Sequence, residues 1–204
     1  MLLLMPLLTQ QPIKAMAVNF SRKTLLISGA IAILAMLLFY LYRKMKASSI
    51  LSLLNSGSTE SNNVKAFLLM IRTCEGTAGA NGYNMLFGGK LFTDYSQHPN
   101  VKVPFGSTYS TAAGAYQILY GTWLGCQAMV EGLTDFTPPN QDKAAIYLID
   151  RRSALDDVKA GRLQIAISKC SKEWASLPGS PYGQPVKTLA QAQTYYTNAG
   201  GVIA

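Results

Sequence analysis

The 204-residue sequence predicts an α+β fold, in which four or five helices surround a small β lobe and one transmembrane helix comes first. Several segments in the second two-thirds of the chain place apolar residues at the spacing of one helix face. The region from Gly82 to Ser110 instead holds short runs broken by glycine and proline, which favours hairpins. The nineteen residues from Thr24 to Tyr42 contain no charge, enough to cross the ~30 Å hydrocarbon core of a bilayer.

The N-terminal third is predicted to attach a folded domain to a membrane. Its predicted parts are an N-terminal segment (1–23), a membrane helix (24–42), a flexible Ser/Asn/Gly-rich tether (43–62) and the folded domain (63–204). Three basic residues lie on each side of the apolar segment, so the positive-inside rule does not decide its orientation. We interpret the segment as a retained single-pass anchor, and a cleaved signal or a releasable signal-anchor remain the alternatives.

The net charge of +8 is concentrated outside the predicted domain. Residues 1–60 hold six Lys or Arg against one acid, and residues 61–204 hold twelve against nine. A nucleic-acid-binding protein would carry its positive excess on the folded domain, so nucleic acid is not a predicted partner. The mild positive balance of the domain instead suits an anionic cell wall.

The first helix of the domain ends at an acid that is a candidate for catalysis. Its apolar residues recur at helical spacing, namely Val64, Phe67, Leu68 and Ile71. Asn62 or Asn63 is expected to cap its start and Gly76 to end it. Glu75 therefore falls in the last turn, before a loop rich in Gly, Ala and Asn. Backed by an apolar helix, its carboxyl would have a raised pKa and could act as a general acid; the alternative is a solvated surface glutamate.

The rest of the domain is predicted to be helical apart from the β lobe. Four further helices are expected, over Ala115–Val130, Thr137–Ser153, Leu163–Ala175 and Val186–Thr197. The three cysteines and the single histidine, His98, show no metal-ligand spacing, so we predict neither a metal site nor a cofactor. At most one disulfide can form, and one that included Cys74 could distort the region of Glu75.

Four blocks of the sequence resemble the endolysin family of bacteriophage lambda and its relatives. They read KAFLLMIRTCEGT, NGYNMLFGGKLFTDYSQHP, STAAGAYQI and WASLPGSPYGQ, and the resemblance extends from about Asn63 to Gly201. It implies a lysozyme-like catalytic domain that acts, as a monomer, on the glycan strand of peptidoglycan. With the predicted anchor, that domain would face the periplasm and the cell wall.

The resemblance also implies a reaction. Enzymes of this type are lytic transglycosylases with a single catalytic glutamate, a role that would fall to Glu75 as acid and then as base. The bond cleaved would be the MurNAc–GlcNAc β-1,4 linkage, leaving a 1,6-anhydromuramic end without metal or cofactor. Two alternatives stay open: a hydrolytic lysozyme in which Asp94 places a water, and a non-catalytic, membrane-anchored wall-binding protein.

Candidate substrate-binding residues lie in the blocks that carry the resemblance. Aromatic rings suit sugar faces, and amides and carboxylates suit hydroxyl and N-acetyl groups. The candidates are Tyr83, Asp94, Tyr116, Gln117 and Tyr182. For each of them, packing or a local structural hydrogen bond is the alternative interpretation.

Overall fold

The computed structural model describes the backbone of residues 22–204 and the side chains from Gly29 onward. The chain divides into two compact units, residues 1–39 and 40–204. The predicted N-terminal segment 1–23 lies almost wholly outside the described residues. The first element is the long helix α1 (Arg22–Asn55), whose large apolar side chains between Ile31 and Phe39 are exposed.

The predicted membrane helix is not identified in the described part of the chain. Among the helices of residues 22–204, none combines the length and the hydropathy required to cross a membrane. The predicted span 24–42 begins with five residues whose side chains lie outside the described ones. Its predicted end at Tyr42 is also not a helix end, because α1 continues through Arg43 and Lys46 to Asn55.

The predicted flexible tether 43–62 is wrong for most of its length. Residues 43–55 are helical, and Ile50 and Leu53 are buried in the same hydrophobic core as the following helices. Two polar contacts add to this packing: Arg43 donates to the Gln127 carbonyl at 3.0 Å, and Lys46 forms an ion pair with Asp150. Serine and asparagine are typical of flexible segments, but the apolar residues between them cover one helix face, which is buried.

Helix α2 (Thr59–Glu75) is the central helix of the second unit. Its N-cap is Ser58, whose side chain accepts a hydrogen bond from the Ser61 amide, so the predicted caps Asn62 and Asn63 were wrong by one turn. The predicted C-cap is confirmed, since Gly76 adopts a left-handed conformation with φ 76° and its amide bonds back to the last turn. Asn63 is instead buried, and its side-chain amide donates to the Lys159 carbonyl at 3.0 Å.

The β lobe is present but has little regular structure. A single 3₁₀ turn (Gly82–Asn84) precedes strands β1 (Val103–Phe105) and β2 (Thr108–Ser110), which pair antiparallel with Pro104 opposite Tyr109. Isolated bridges, such as the one between Met85 and Leu91, hold the rest of the lobe together.

The remaining helices pack around α2. They are α3 (Tyr120–Met129), α4 (Pro138–Arg151), α5 (Leu155–Lys159), α6 (Leu163–Cys170) and α7 (Leu189–Asn198). Helix α3 starts five residues later than predicted, because Ala113 and Ile118 form an isolated bridge around Gln117, which has φ 45°. Helix α4 begins at a proline, as predicted. Helices α4, α5 and α7 contact α2 directly.

The core of the second unit contains both tryptophans and all three cysteines. Trp123 and Trp174 are buried, as are Cys74, Cys126 and Cys170. The three thiols are free, so the hypothesis of a disulfide at Cys74 is not supported. Within residues 22–204, no three His, Cys, Asp or Glu side chains form a group that could hold a metal ion.

Candidate active site

Glu75 is the last residue of α2 and lines a cleft of about 550 Å³. The left-handed turn at Gly76 takes the chain away from the helix axis directly after it, so Glu75 stays at the helix end. Residues distant in sequence complete the cleft, namely Phe87, Gln117, Leu119, Glu173, Trp174 and Tyr182. The carboxyl therefore lies in a partly apolar depression bounded by several elements.

The surroundings of Glu75 favour the protonated acid. Burial raises the pKa of the Glu75 carboxyl, because the charged form loses its hydration. The C-terminal end of a helix dipole also disfavours a negative charge. The Ser176 hydroxyl, which donates to Oε1 at 2.6 Å, and the Ser176 amide oppose this rise. A carboxyl that stays protonated above the usual range and keeps one fixed donor can give up a proton and later accept one.

Cys74 precedes Glu75 and is not a reactive thiol. Burial and, to a smaller extent, the neighbouring Glu75 charge raise the pKa of the Cys74 thiol to about 11. The thiolate is the nucleophilic form of cysteine, so Cys74 is inert at neutral pH.

Two of the predicted binding residues lie in the cleft with Glu75. The side-chain amide nitrogen of Gln117 donates to the Gly114 carbonyl at 3.0 Å and to the Met85 carbonyl at 3.3 Å. These two bonds fix the orientation of the side chain. The Tyr182 hydroxyl donates to the Lys172 carbonyl at 2.8 Å while much of its ring remains exposed. An oriented amide and an exposed aromatic face suit the polar groups and the apolar face of a sugar.

Tyr83 and Tyr116 belong to a different site. Both hydroxyls donate to Asp142 Oδ1, Tyr116 at 2.6 Å and Tyr83 at 2.9 Å, and the Arg72 guanidinium lies 4.4 Å from the Tyr83 ring centre. These groups line a second cavity of about 530 Å³ that α1 also borders through Leu51. Tyr116 is almost completely buried, and burial raises the pKa of Tyr83 to about 12. The network holds α2, the β lobe and α4 together.

Asp94 is exposed and is not among the residues that line the Glu75 cleft. Its Oδ1 accepts the Ser96 amide at 2.8 Å, a local turn contact that lowers its pKa. The structure therefore gives this carboxylate a local hydrogen-bonding role and keeps it ionised.

Two residues were not predicted from the sequence: Glu173, which lines the cleft, and Ser176, which donates a hydrogen bond to Glu75. Glu173 is the second acid in the cleft, and its side chain is only 7% exposed. Arg151 donates to both of its oxygens at 2.8 and 2.9 Å, and Arg152 Nε donates at 2.8 Å. The one sequence signal for Glu173 is its position directly before Trp174, a tryptophan that is buried in the structure. Nothing local marks Ser176, which meets Glu75 across 101 residues.

Comparison with known proteins places this geometry in a family. The family model described as Endolysin matches residues 65–203. The endolysin of Escherichia phage P2 is 42% identical over 158 residues, covering 70% of this chain and 95% of that protein. The endolysin of Escherichia phage lambda is 40% identical over 149 residues, covering 70% of this chain and 94% of that protein.

Solved structures agree in fold. The structure of bacteriophage lambda lysozyme complexed with a chitohexasaccharide superposes with a TM-score of 0.66 at 39% identity, covering 70% of this chain and 97% of that one. A second lambda lysozyme structure gives a TM-score of 0.62 at 38% identity. The mainly helical domain with its two-stranded sheet is thus lysozyme-like, and the chain belongs to the endolysin family of peptidoglycan-degrading enzymes.

Proposed function

We propose that this endolysin is a lytic transglycosylase that cleaves the MurNAc–GlcNAc β-1,4 bond with Glu75 as the only catalytic carboxyl. The observation that carries the proposal is the environment of Glu75: a cleft, a raised pKa and one hydroxyl donor on its carboxyl. The related lambda lysozyme, solved with a chitohexasaccharide, supports a glycan strand as the ligand of this cleft.

The proposed reaction uses the Glu75 carboxyl twice, first as an acid and then as a base. Protonated Glu75 donates its proton to the bridging oxygen, and the bond from that oxygen to muramic acid C1 breaks. The Glu75 carboxylate then removes the proton of the muramic acid C6 hydroxyl while O6 bonds to C1. The products are a GlcNAc 4-hydroxyl and a 1,6-anhydromuramic end, and Glu75 is protonated again. Ser176 stabilises the carboxylate between the two transfers, because a hydrogen bond to the charged form favours it.

The positions of the other acids favour one catalytic carboxyl over two. Glycoside hydrolysis needs a second carboxyl roughly 5–10 Å from the first across the scissile bond. Asp94 lines no part of the cleft. Glu173 does, but Arg151 donates hydrogen bonds to both of its oxygens and Arg152 donates to one of them. We therefore propose that neither acid activates a water for attack at C1.

We assign glycan contact to Gln117 and Tyr182 and a positioning role to Tyr83 and Tyr116. The first two line the cleft of Glu75. Tyr83 and Tyr116 both donate hydrogen bonds to Asp142, and through it they position the helices and the loop that surround the cleft.

Product analysis tests the proposed reaction. Murein digested with the full chain is expected to yield 1,6-anhydro muropeptides, and the Asp94→Asn variant is expected to give the same products within about twofold of the parental rate, because an exposed turn carboxylate takes no part. Mass spectrometry separates these products from reducing muramic ends, which carry one more water. Reducing ends from the parent, or loss of activity in Asp94→Asn, would favour the hydrolytic lysozyme.

We also propose that α1 anchors the enzyme to a membrane, with the catalytic domain on the side of the cell wall. The support is the uncharged sequence from Thr24 to Tyr42 and the exposed apolar side chains from Ile31 to Phe39. We expect the protein to stay with membranes after alkaline carbonate extraction and its domain to be open to protease in spheroplasts. Extraction into the supernatant would contradict the anchor.

A further inference from the structure

A basic surface adjoins the Glu75 cleft. It is a depression of about 470 Å³ whose lining includes four cations, Arg151, Arg152, Lys169 and Lys172, which we call the basic shelf. Three of them, Arg151, Arg152 and Lys172, also line the cleft. The shelf is therefore continuous with the cleft, and a ligand bound to one can reach the other.

The acids associated with the shelf lie beneath it. Glu173 contacts Arg151 and Arg152, and Asp157 pairs with Lys169. The two acidic side chains are only 7% and 8% exposed, whereas the three shelf cations paired with them are 33–40% exposed. The buried acids thus fix the positions of the cations, and the solvent-exposed surface of the shelf is positive.

Lys172 adds a charge that no acid balances. It is exposed, and its ammonium makes no ion pair with any residue of 29–204. Its backbone is nevertheless held, because its carbonyl accepts hydrogen bonds from Arg152 and from the Tyr182 hydroxyl, each at 2.8 Å. The cation stands at the border between shelf and cleft, free to bind an anion.

The substrate of the proposed function brings anions to this position. In peptidoglycan each muramic acid carries a peptide through its lactyl ether, and that peptide has free carboxylates. A muramic acid in the cleft would therefore project carboxylates beside its own ring. We propose that the basic shelf binds the peptide-stem carboxylates of the strand being cleaved, so that the enzyme recognises stems as well as sugars. This inference rests on the proposed function and extends it.

A binding experiment tests the shelf without requiring cleavage. The full chain carrying Glu75→Gln is titrated with a soluble disaccharide-tetrapeptide and with the same ligand after amidation of its carboxylates. Amidation is expected to weaken binding about fivefold, since exposed charge pairs contribute modestly and more than one is lost. Adding Lys172→Glu is expected to weaken binding of the free-acid ligand by a similar factor and to leave the amidated ligand nearly unaffected.

The matched control is Lys90→Glu, the same charge reversal at an exposed lysine outside both cavities. It is expected to leave the preference for the free-acid ligand unchanged. Equal affinities for the two ligands would overturn the proposal. So would a Lys172→Glu variant that keeps the preference but binds phosphatidylglycerol vesicles more weakly, because the shelf would then face a membrane.

The failure of this inference and the failure of the proposed function are separable. The parent enzyme is assayed for anhydro products on intact murein, which carries both the glycan strand and its peptide stems. Anhydro products together with equal ligand affinities refute the shelf alone. A charge-dependent preference without anhydro products refutes the transglycosylase and supports the shelf.

Discussion

Replacing Glu75 with glutamine is expected to lower the rate of murein solubilisation by about a thousandfold or more. One group serves as both acid and base in the proposed reaction, and each such role contributes about 10²–10⁴ in rate. The amide keeps the size of the side chain and can still accept the Ser176 hydrogen bond. Zymography and release of soluble muropeptides, compared with the parent, measure the effect.

The pH dependence of stability separates loss of chemistry from loss of fold. Burial raises the pKa of folded Glu75 above its unfolded value, so ionising it costs stability as pH rises through the folded pKa. Glutamine cannot ionise. The variant is therefore expected to equal the parent in stability at acid pH and to exceed it above the raised pKa, as followed by thermal unfolding.

The activity of the parent should show the same titration. The first step requires protonated Glu75, so activity is expected to fall as pH rises through the raised pKa. A glutamine variant that is destabilised at neutral pH, or one that retains parental activity, would contradict the assignment of Glu75. The Asp94→Asn variant is the matched control, because it removes a carboxylate outside the cleft.

Replacing Ile50 with alanine is expected to lower the free energy of unfolding by about 2–5 kcal/mol. The residue is 1% exposed and belongs to the hydrophobic core of the catalytic domain, although it lies in the segment that composition marked as a tether. Truncation removes buried methyl groups and leaves a cavity where α1 packs. Chemical denaturation followed by circular dichroism measures the change.

The neighbouring Leu51 provides the control, since it is 46% exposed on the same helix. Leu51→Ala is expected to change stability by less than about 0.5 kcal/mol, as surface substitutions usually do. An Ile50→Ala protein as stable as the parent would show that the end of α1 is dispensable. If instead the prediction holds, the end of α1 around Ile50 is part of the folded catalytic domain.

The central helix and the candidate catalytic acid could be predicted from sequence. Val64, Phe67 and Ile71 recur at the helical period, and a glycine follows the last turn, so both the element and the position of Glu75 at its end were correct. The sequence predicts the N-cap of α2 at Asn62 or Asn63, because asparagine side chains commonly cap helices. Asn63 does not cap the helix, because its side chain is buried and bonded elsewhere.

The functional assignment of the aromatic residues could not be made from sequence. Tyr83, Tyr116 and Tyr182 all lie in sequence blocks that resemble the same family, so the sequence around them does not distinguish their roles. Tyr182 lies in the cleft, whereas Tyr83 and Tyr116 bind Asp142 on a different side of α2. Which cavity a tyrosine lines depends on how loops cross between helices, and such contacts leave no periodic signal along the chain.

The amino-acid order alone is enough to predict the helical periods, the breaks at glycine and proline, the position of Glu75 before Gly76 and the family. These depend on local backbone preferences and on motifs within a few residues. Packing between distant parts of the chain instead buries Ile50, brings Ser176 to Glu75 and pairs two arginines with Glu173. Burial and the pKa shifts it causes arise from groups far apart in the chain, so they exist only once the helices have packed.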